Sequence, residues 1–179
     1  VGLADQFRQR ALFGGIDLAA VFPQLRRYVG QSDSGKDTLF RLAGDALDVC
    51  RRRVQQDLFG RRGMKGDPLY QARRTLHTGD KLLTDKQRAR LEALFATEEH
   101  VEVEATWGIY QRMIAAYREP DKRNGKQMMQ ALIDAVSTGV PAALIEIRKL
   151  GRTLKQRAAD VLAFFDRPGT SNGPTEAIN

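Results

Sequence analysis

Cysteine, histidine and long apolar runs are nearly missing from this sequence of 179 residues. The one cysteine, Cys50, excludes an internal disulfide framework and fits a reducing, cytoplasmic setting. The two histidines, His77 and His100, lie too far apart in sequence to complete a zinc-finger ligand set with it. No apolar stretch nears the roughly 18 residues that a membrane-spanning helix needs, so no membrane partner is expected. No signal-peptide pattern opens the chain. Aromatic residues make up only 7%. Strand-like alternation is hardly present, which argues against a sheet.

What is present is a soluble, globular composition, 42% hydrophobic and 28% charged, long enough for one domain with a real core or for two small ones. The net charge of +7 is unevenly placed. Residues 1–40 carry 5 basic and 4 acidic groups, and residues 91–179 carry 11 and 12. Residues 41–90 carry 13 and 6, so the whole excess falls in one 50-residue region. Such asymmetry fits a polyanionic partner, nucleic acid above all, and on charge alone fits a solvated basic face equally well.

Helical periodicity dominates the chain and predicts an all-α, multi-helix bundle of seven or eight helices. From Thr38 to Leu58, the residues Leu39, Ala43, Ala46, Leu47, Cys50, Val54 and Leu58 fall on one stripe, with Arg51, Arg52 and Arg53 on the other side. This makes Cys50 a small buried hydrophobe rather than a nucleophile. Residues 59–67 hold three glycines in nine positions and read as a flexible basic loop. Arg53, Arg61, Arg62 and Lys65 could there grip a phosphate backbone. Asp67-Pro68 starts a helix with Leu69, Ala72 and Leu76 inward and Arg73 and Arg74 outward. Thr84 and Gln87 form a capping box for a helix running to about Ala96. Glu98 to Arg118 reads as helix, its stripe of Trp107, Tyr110, Met113, Ile114 and Tyr117 being core rather than a base-stacking platform. A short helix is expected over Lys126 to Ser137, and the longest over Ala142 to Phe165, where Gly151 marks a close helix approach. Lys149, Arg152, Lys155 and Arg157 should face solvent.

Two stretches carry candidate chemistry. Gly30-Gln-Ser-Asp-Ser-Gly-Lys36 matches most of a phosphate-binding loop, although Asp37 stands where Ser or Thr should bind magnesium and Asp33 would repel a nucleotide. Thr170-Ser-Asn-Gly-Pro-Thr-Glu-Ala-Ile-Asn179 opens a new helix after the Pro168-Gly169 stop, with Glu176 in or near its first turn. Glu176 and Asn172 could hold a divalent cation by oxygen ligands, or could simply belong to a capped helix start.

Arg41-Leu-Ala-Gly-Asp-Ala-Leu-Asp48, continued through Arg51-Arg-Arg-Val54, and Asp166-Arg-Pro-Gly-Thr-Ser-Asn-Gly-Pro-Thr-Glu-Ala-Ile-Asn179 together resemble bacterial insertion-sequence transposases of the DDE type, closest to the ISL3 group. Leu69 to Tyr117, with Ala105-Thr-Trp-Gly-Ile-Tyr110, is similar to the same family, so the resemblance spans about residues 41–179. It implies an RNase-H-like enzyme whose three carboxylates bind two Mg²⁺ ions and act on double-stranded DNA at transposon ends. It also implies a helical insertion between the second and third carboxylates. On this reading residues 37–168 are the insertion-like bundle, 169–179 the start of the helix bearing Glu176 as third carboxylate and metal ligand, and 1–36 a short helical segment of unclear origin. The DNA-binding candidates are Arg51, Arg52, Arg53, Arg61, Arg62, Lys65, Arg73 and Arg74. Gly35 occupies the place of the family's second Asp, with Asp33 and Asp37 two residues to either side. The expectation is therefore a truncated or rearranged transposase fragment that is inactive alone yet able to bind DNA and open to self-association. The alternatives are a nucleotide-binding protein using Gly30 to Lys36 and a helical protein–protein module.

Overall fold

The computed structural model describes residues 35–166. Among them there are seven α-helices and no strand, as the periodicity predicts. We number the helices α1 (Gly35–Phe59), α2 (Pro68–Gln71), α3 (Asp85–Phe95), α4 (Val101–Arg118), α5 (Lys122–Ser137), α6 (Ile145–Gln156) and α7 (Ala158–Asp166). Short 3₁₀ turns at Thr75–His77, Asp80–Leu82 and Glu98–His100 join α2, α3 and α4.

The longest helix is α1, not the segment from Ala142 to Phe165. Its stripe of Leu42, Ala43, Ala46, Leu47, Cys50 and Val54 is buried against α4 and α6. Spacing of three and four residues puts these side chains on one face. Leu58, in the last turn of α1, departs from the expectation and is exposed. Burial pushes the Cys50 thiol up to about 12. The Thr84 capping box is formed, with Gln87 N–H donating to Thr84 Oγ1 and Thr84 N–H donating to Gln87 Oε1. The α3 residues Leu91, Leu94 and Phe95 then enter the core.

Two segments break where periodicity predicts continuity. After Pro68 the helix lasts one turn, because the Tyr70 carbonyl accepts both the Arg73 guanidinium, at 2.9 Å, and the Arg73 N–H. The second break is at Arg157, whose backbone (φ −112°, ψ 19°) leaves the helical region. It lets α7 pack on α5 as well as on α6. In the opposite sense α5 begins at Lys122, four residues before the expected Lys126, since Asp121 caps it by accepting from Arg123 N–H at 2.9 Å.

Close approach of α5 and α6 depends on Gly151. A Cβ on it would lie 1.9 Å from the Val136 carbonyl oxygen, so only glycine fits beneath that backbone. The far end of the bundle is closed by rings: Tyr117 of α4 meets Phe40 of α1 at 5.0 Å, Phe164 at 5.3 Å and Phe165 at 5.6 Å between centroids. Met129, Leu132, Ile133 and Val136 of α5 and Ile147, Leu150 and Leu154 of α6 complete one continuous core. Each such side chain contributes roughly 1.5–3 kcal/mol when fully buried.

Candidate nucleic-acid interface

The basic segment starts in the last turns of α1, and its three consecutive arginines meet three different fates. Arg51 is buried rather than solvent-facing, a correction to the expected orientation. It donates from Nε and Nη2 to Asp48 Oδ1 at 3.2 and 3.1 Å. Asp48 also faces His77 Nε2 at 3.6 Å. The facing His77 imidazole, helped by Arg51, holds the Asp48 carboxyl down at about 2 despite partial burial. Arg52 is exposed and donates to the Asp48 backbone carbonyl, at 3.0 Å. Arg53 spans the bundle: Nε and Nη2 donate to the two oxygens of Glu146 on α6, at 2.9 and 3.0 Å, and Nη2 donates to Glu102 on α4. Glu146 is only 2% exposed, so Arg53 neutralises a buried charge and is committed to the fold. Bonding to Glu146 and Glu102 also raises the Arg53 pKa further, which fixes its positive charge.

Beyond α1 the chain turns at Gly60, whose φ of +63° is a left-handed conformation suited to glycine, and Gly60 N–H bonds back to the Gln56 carbonyl at 2.8 Å. Residues 61–66 are then braced by one carboxylate. Asp67 does not cap α2 with its side chain. It accepts from Arg61 Nη1 and Nη2 at 2.9 Å each, from Met64 N–H at 2.7 Å and from Gln55 Nε2 at 3.0 Å. These bonds, Arg61's foremost, hold the Asp67 carboxyl well below the usual range. The loop read from its glycines as flexible is thus pinned to α1 by a fork of hydrogen bonds. Arg62 and Lys65 project from it, exposed and with no carboxylate partner among the described residues. Arg73 is half-buried with its guanidinium 4.3 Å above the Tyr70 ring, and Arg74 is exposed.

Of the eight basic candidates, then, Arg51, Arg53 and Arg61 are matched by carboxylates, and among the described residues Arg52, Arg62, Lys65, Arg73 and Arg74 are not. A cleft of about 320 Å³ beside α2 is lined by Gln71, Thr75, Leu94 and Arg90, among others. Sequence reasoning missed Arg90, though its signal was available: it precedes the inward Leu91 and so leaves the buried face of α3. It also missed Glu102 and Glu146, which no local pattern marks as partners of Arg53.

A family model described as a transposase, of the ISL3 type of DDE enzymes, matches residues 39–179. The chain belongs to this transposase family. No curated protein and no solved structure matches it. Membership in the transposase family carries an interaction with DNA. The matched span includes Glu176, which lies outside the described residues, as do Asp33 and most of the phosphate-loop-like stretch from Gly30 to Lys36. Gly35 and Lys36 lie in the first turn of α1. Among the described residues no group of three or more His, Cys, Asp or Glu could hold a metal ion. No described helix of this transposase-family chain is long and apolar enough to cross a membrane.

Proposed function

We infer that the helical region is the DNA-holding insertion of an ISL3-type transposase, and that it grips the phosphate backbone of double-stranded DNA through Arg52, Arg62, Lys65, Arg73 and Arg74, with Arg90 beside them. The observation that carries this reading is the sorting of charges. Carboxylates of the bundle engage Arg51, Arg53 and Arg61, and the basic surplus of residues 41–90 is left on side chains free to meet phosphate. Residues 37–168 form the insertion on this reading, residues 1–36 precede it, and residues 169–179 begin the helix of the third carboxylate.

Glu176 is that third carboxylate, supported by the Ser171-Asn-Gly-Pro-Thr-Glu176 motif within the matched span. It would serve as a ligand for Mg²⁺, which when bound activates the attacking hydroxyl in in-line attack on a phosphodiester. With Gly35 in the place of the second Asp, this chain by itself binds DNA without cleaving it. Incubation of supercoiled plasmid with the chain and Mg²⁺ or Mn²⁺ is expected to leave the plasmid intact.

Fluorescence anisotropy on unrelated duplexes across a salt series tests the DNA-holding role. The triple variant Arg62→Ala, Lys65→Ala, Arg74→Ala should weaken binding to every duplex alike. It should flatten the slope of log affinity against log salt by about 0.9 for each phosphate that is no longer neutralised, or roughly 2.7 in all. An unchanged slope would place the DNA on another face.

A further inference from the structure

The end of α1 and the loop after it, which carries unmatched cations, hold apolar side chains out of the core. Leu58 is 40% exposed, Phe59 43% and Met64 59%, and with Leu82 these are the large hydrophobics that the described surface exposes. Three of the four cluster within seven residues around Arg61, Arg62 and Lys65. A flexible loop could tuck such side chains away, but this one is braced. Asp67 fixes Arg61 by two hydrogen bonds of 2.9 Å and holds Met64 N–H at 2.7 Å. Gln55, buried beneath the loop, approaches so closely that a Cβ on Gly63 would meet its amide at 2.3 Å. Arg61 in turn stands over the Phe59 ring, with its guanidinium carbon 5.3 Å from the ring centroid. The chain of contacts from Asp67 to Arg61 to Phe59 therefore sets the ring in place while much of it stays in solvent.

Resting on the DNA-holding reading, we propose that Phe59 and Met64 form a wedge that takes an unpaired or unstacked DNA base, while Arg62 and Lys65 engage the flanking phosphates. Three physical points favour a base over other occupants. An aromatic ring and a thioether offer a surface on which any base can stack, without need of a specific hydrogen-bond pattern. Apolar wedges inserted between base steps are the usual companions of arginines and lysines on the backbone. The loop's carboxylate, Asp67, is satisfied from within by Arg61, Met64 N–H and Gln55, and the exposed Asp57 on the last turn of α1 lies 3.4 Å from Arg53 Nη1, so the outward charge of the loop itself is that of Arg62 and Lys65. The ring is pre-set, so little conformational freedom is lost when a base arrives.

The test compares three fluorescein-labelled DNAs at one salt concentration: a 30-base-pair duplex, the same duplex with a central run of unpaired thymines, and the single strand. The unmodified chain should bind the interrupted duplex about tenfold more tightly than the intact one. The double variant Phe59→Ala, Met64→Ala should lose that preference and keep its affinity for intact duplex within about twofold, whereas Phe59→Tyr should retain the preference. Circular dichroism of the variants checks folding, which exposed positions should not disturb. Equal binding of intact and interrupted duplex by the unmodified chain overturns the wedge and leaves the DNA-holding reading standing. No binding to any of the three overturns both. A double variant that loses all three DNAs equally also overturns the wedge. So does a loss confined to anionic phospholipid vesicles or to self-association in sedimentation, which would reassign the patch to a membrane or to a second copy of the chain.

Discussion

Replacing Arg53 with alanine separates the arginines that build the bundle from those proposed to face DNA. Arg53 delivers two hydrogen bonds of 2.9 and 3.0 Å to a Glu146 carboxylate that is 2% exposed, and it reaches Glu102 as well. In Arg53→Ala the Glu146 charge stays buried without its cation. Removing one partner of a buried pair costs about 3–5 kcal/mol, most of it the penalty of the stranded charge. Arg53 keeps 26% of its side-chain surface in water, so the lower end, about 3 kcal/mol, is expected. At 2–4 °C per kcal/mol for a chain of this size, thermal melting should fall by roughly 6–12 °C. The double variant Arg53→Met, Glu146→Leu should recover most of the loss, since neither residue then needs desolvating. Melts followed by circular dichroism, with urea titrations of the unmodified chain, Arg53→Met, Glu146→Leu and their double variant, give the coupling directly. The reasoning is refuted if Arg53→Ala melts within about 2 °C of the unmodified chain. If it also loses duplex affinity while folded, Arg53 is a DNA contact.

Gly151→Ala should lower the urea midpoint: the roughly 1 kcal/mol that alanine gains in a helix is outweighed by placing a Cβ 1.9 Å from the Val136 carbonyl oxygen, since overpacking typically costs about 1–3 kcal/mol. An unchanged midpoint would mean that α5 and α6 part freely. Asp48 should make stability depend on acid. Its carboxyl falls from an ordinary 3.8 to about 2 in the fold, so its contribution is complete above about pH 4 and is lost as pH falls towards 2. Asp48→Asn should flatten the stability profile over that window, and a profile as steep as the original would deny the His77 and Arg51 contacts their role. Cys50, buried and with its thiol pushed up to about 12, should resist a disulfide reagent at pH 8 in native buffer and react at once in denaturant. Fast native labelling would show that α1 is not seated as described.

The bundle was legible where the signal is local. Spacing alone placed Ala43, Leu47, Cys50 and Val54 on the buried face of α1, and the Thr84–Gln87 box marked the start of α3. Close approach at Gly151 was also readable, because a glycine inside a strongly amphipathic helix needs a packing reason. What remained hidden depends on distant partners. Glu146 is 93 positions from Arg53, and nothing in the sequence around either residue records the pairing. Asp67 before Pro68 looks like a helix cap, and only the folded loop brings Arg61, Met64 N–H and Gln55 around it instead. The break at Arg157 likewise follows from α7 packing on α5 rather than from any breaker residue. The basic excess predicted a polyanion partner but could not tell spent cations from available ones. That division requires knowing which carboxylates are within reach.

The ring cluster on Tyr117 has an evolutionary consequence. Phe40 and the Phe164–Phe165 pair stand near opposite ends of the described chain, yet all three settle on one side chain. On the insertion reading proposed above, a helical unit whose two ends are tied at one point is a cassette: it can be spliced into a surface turn of a host domain without prising the flanking chain apart. On that reading its interior helices can be lengthened, swapped or recharged to suit new DNA, while the host senses only a short loop closed by aromatic rings.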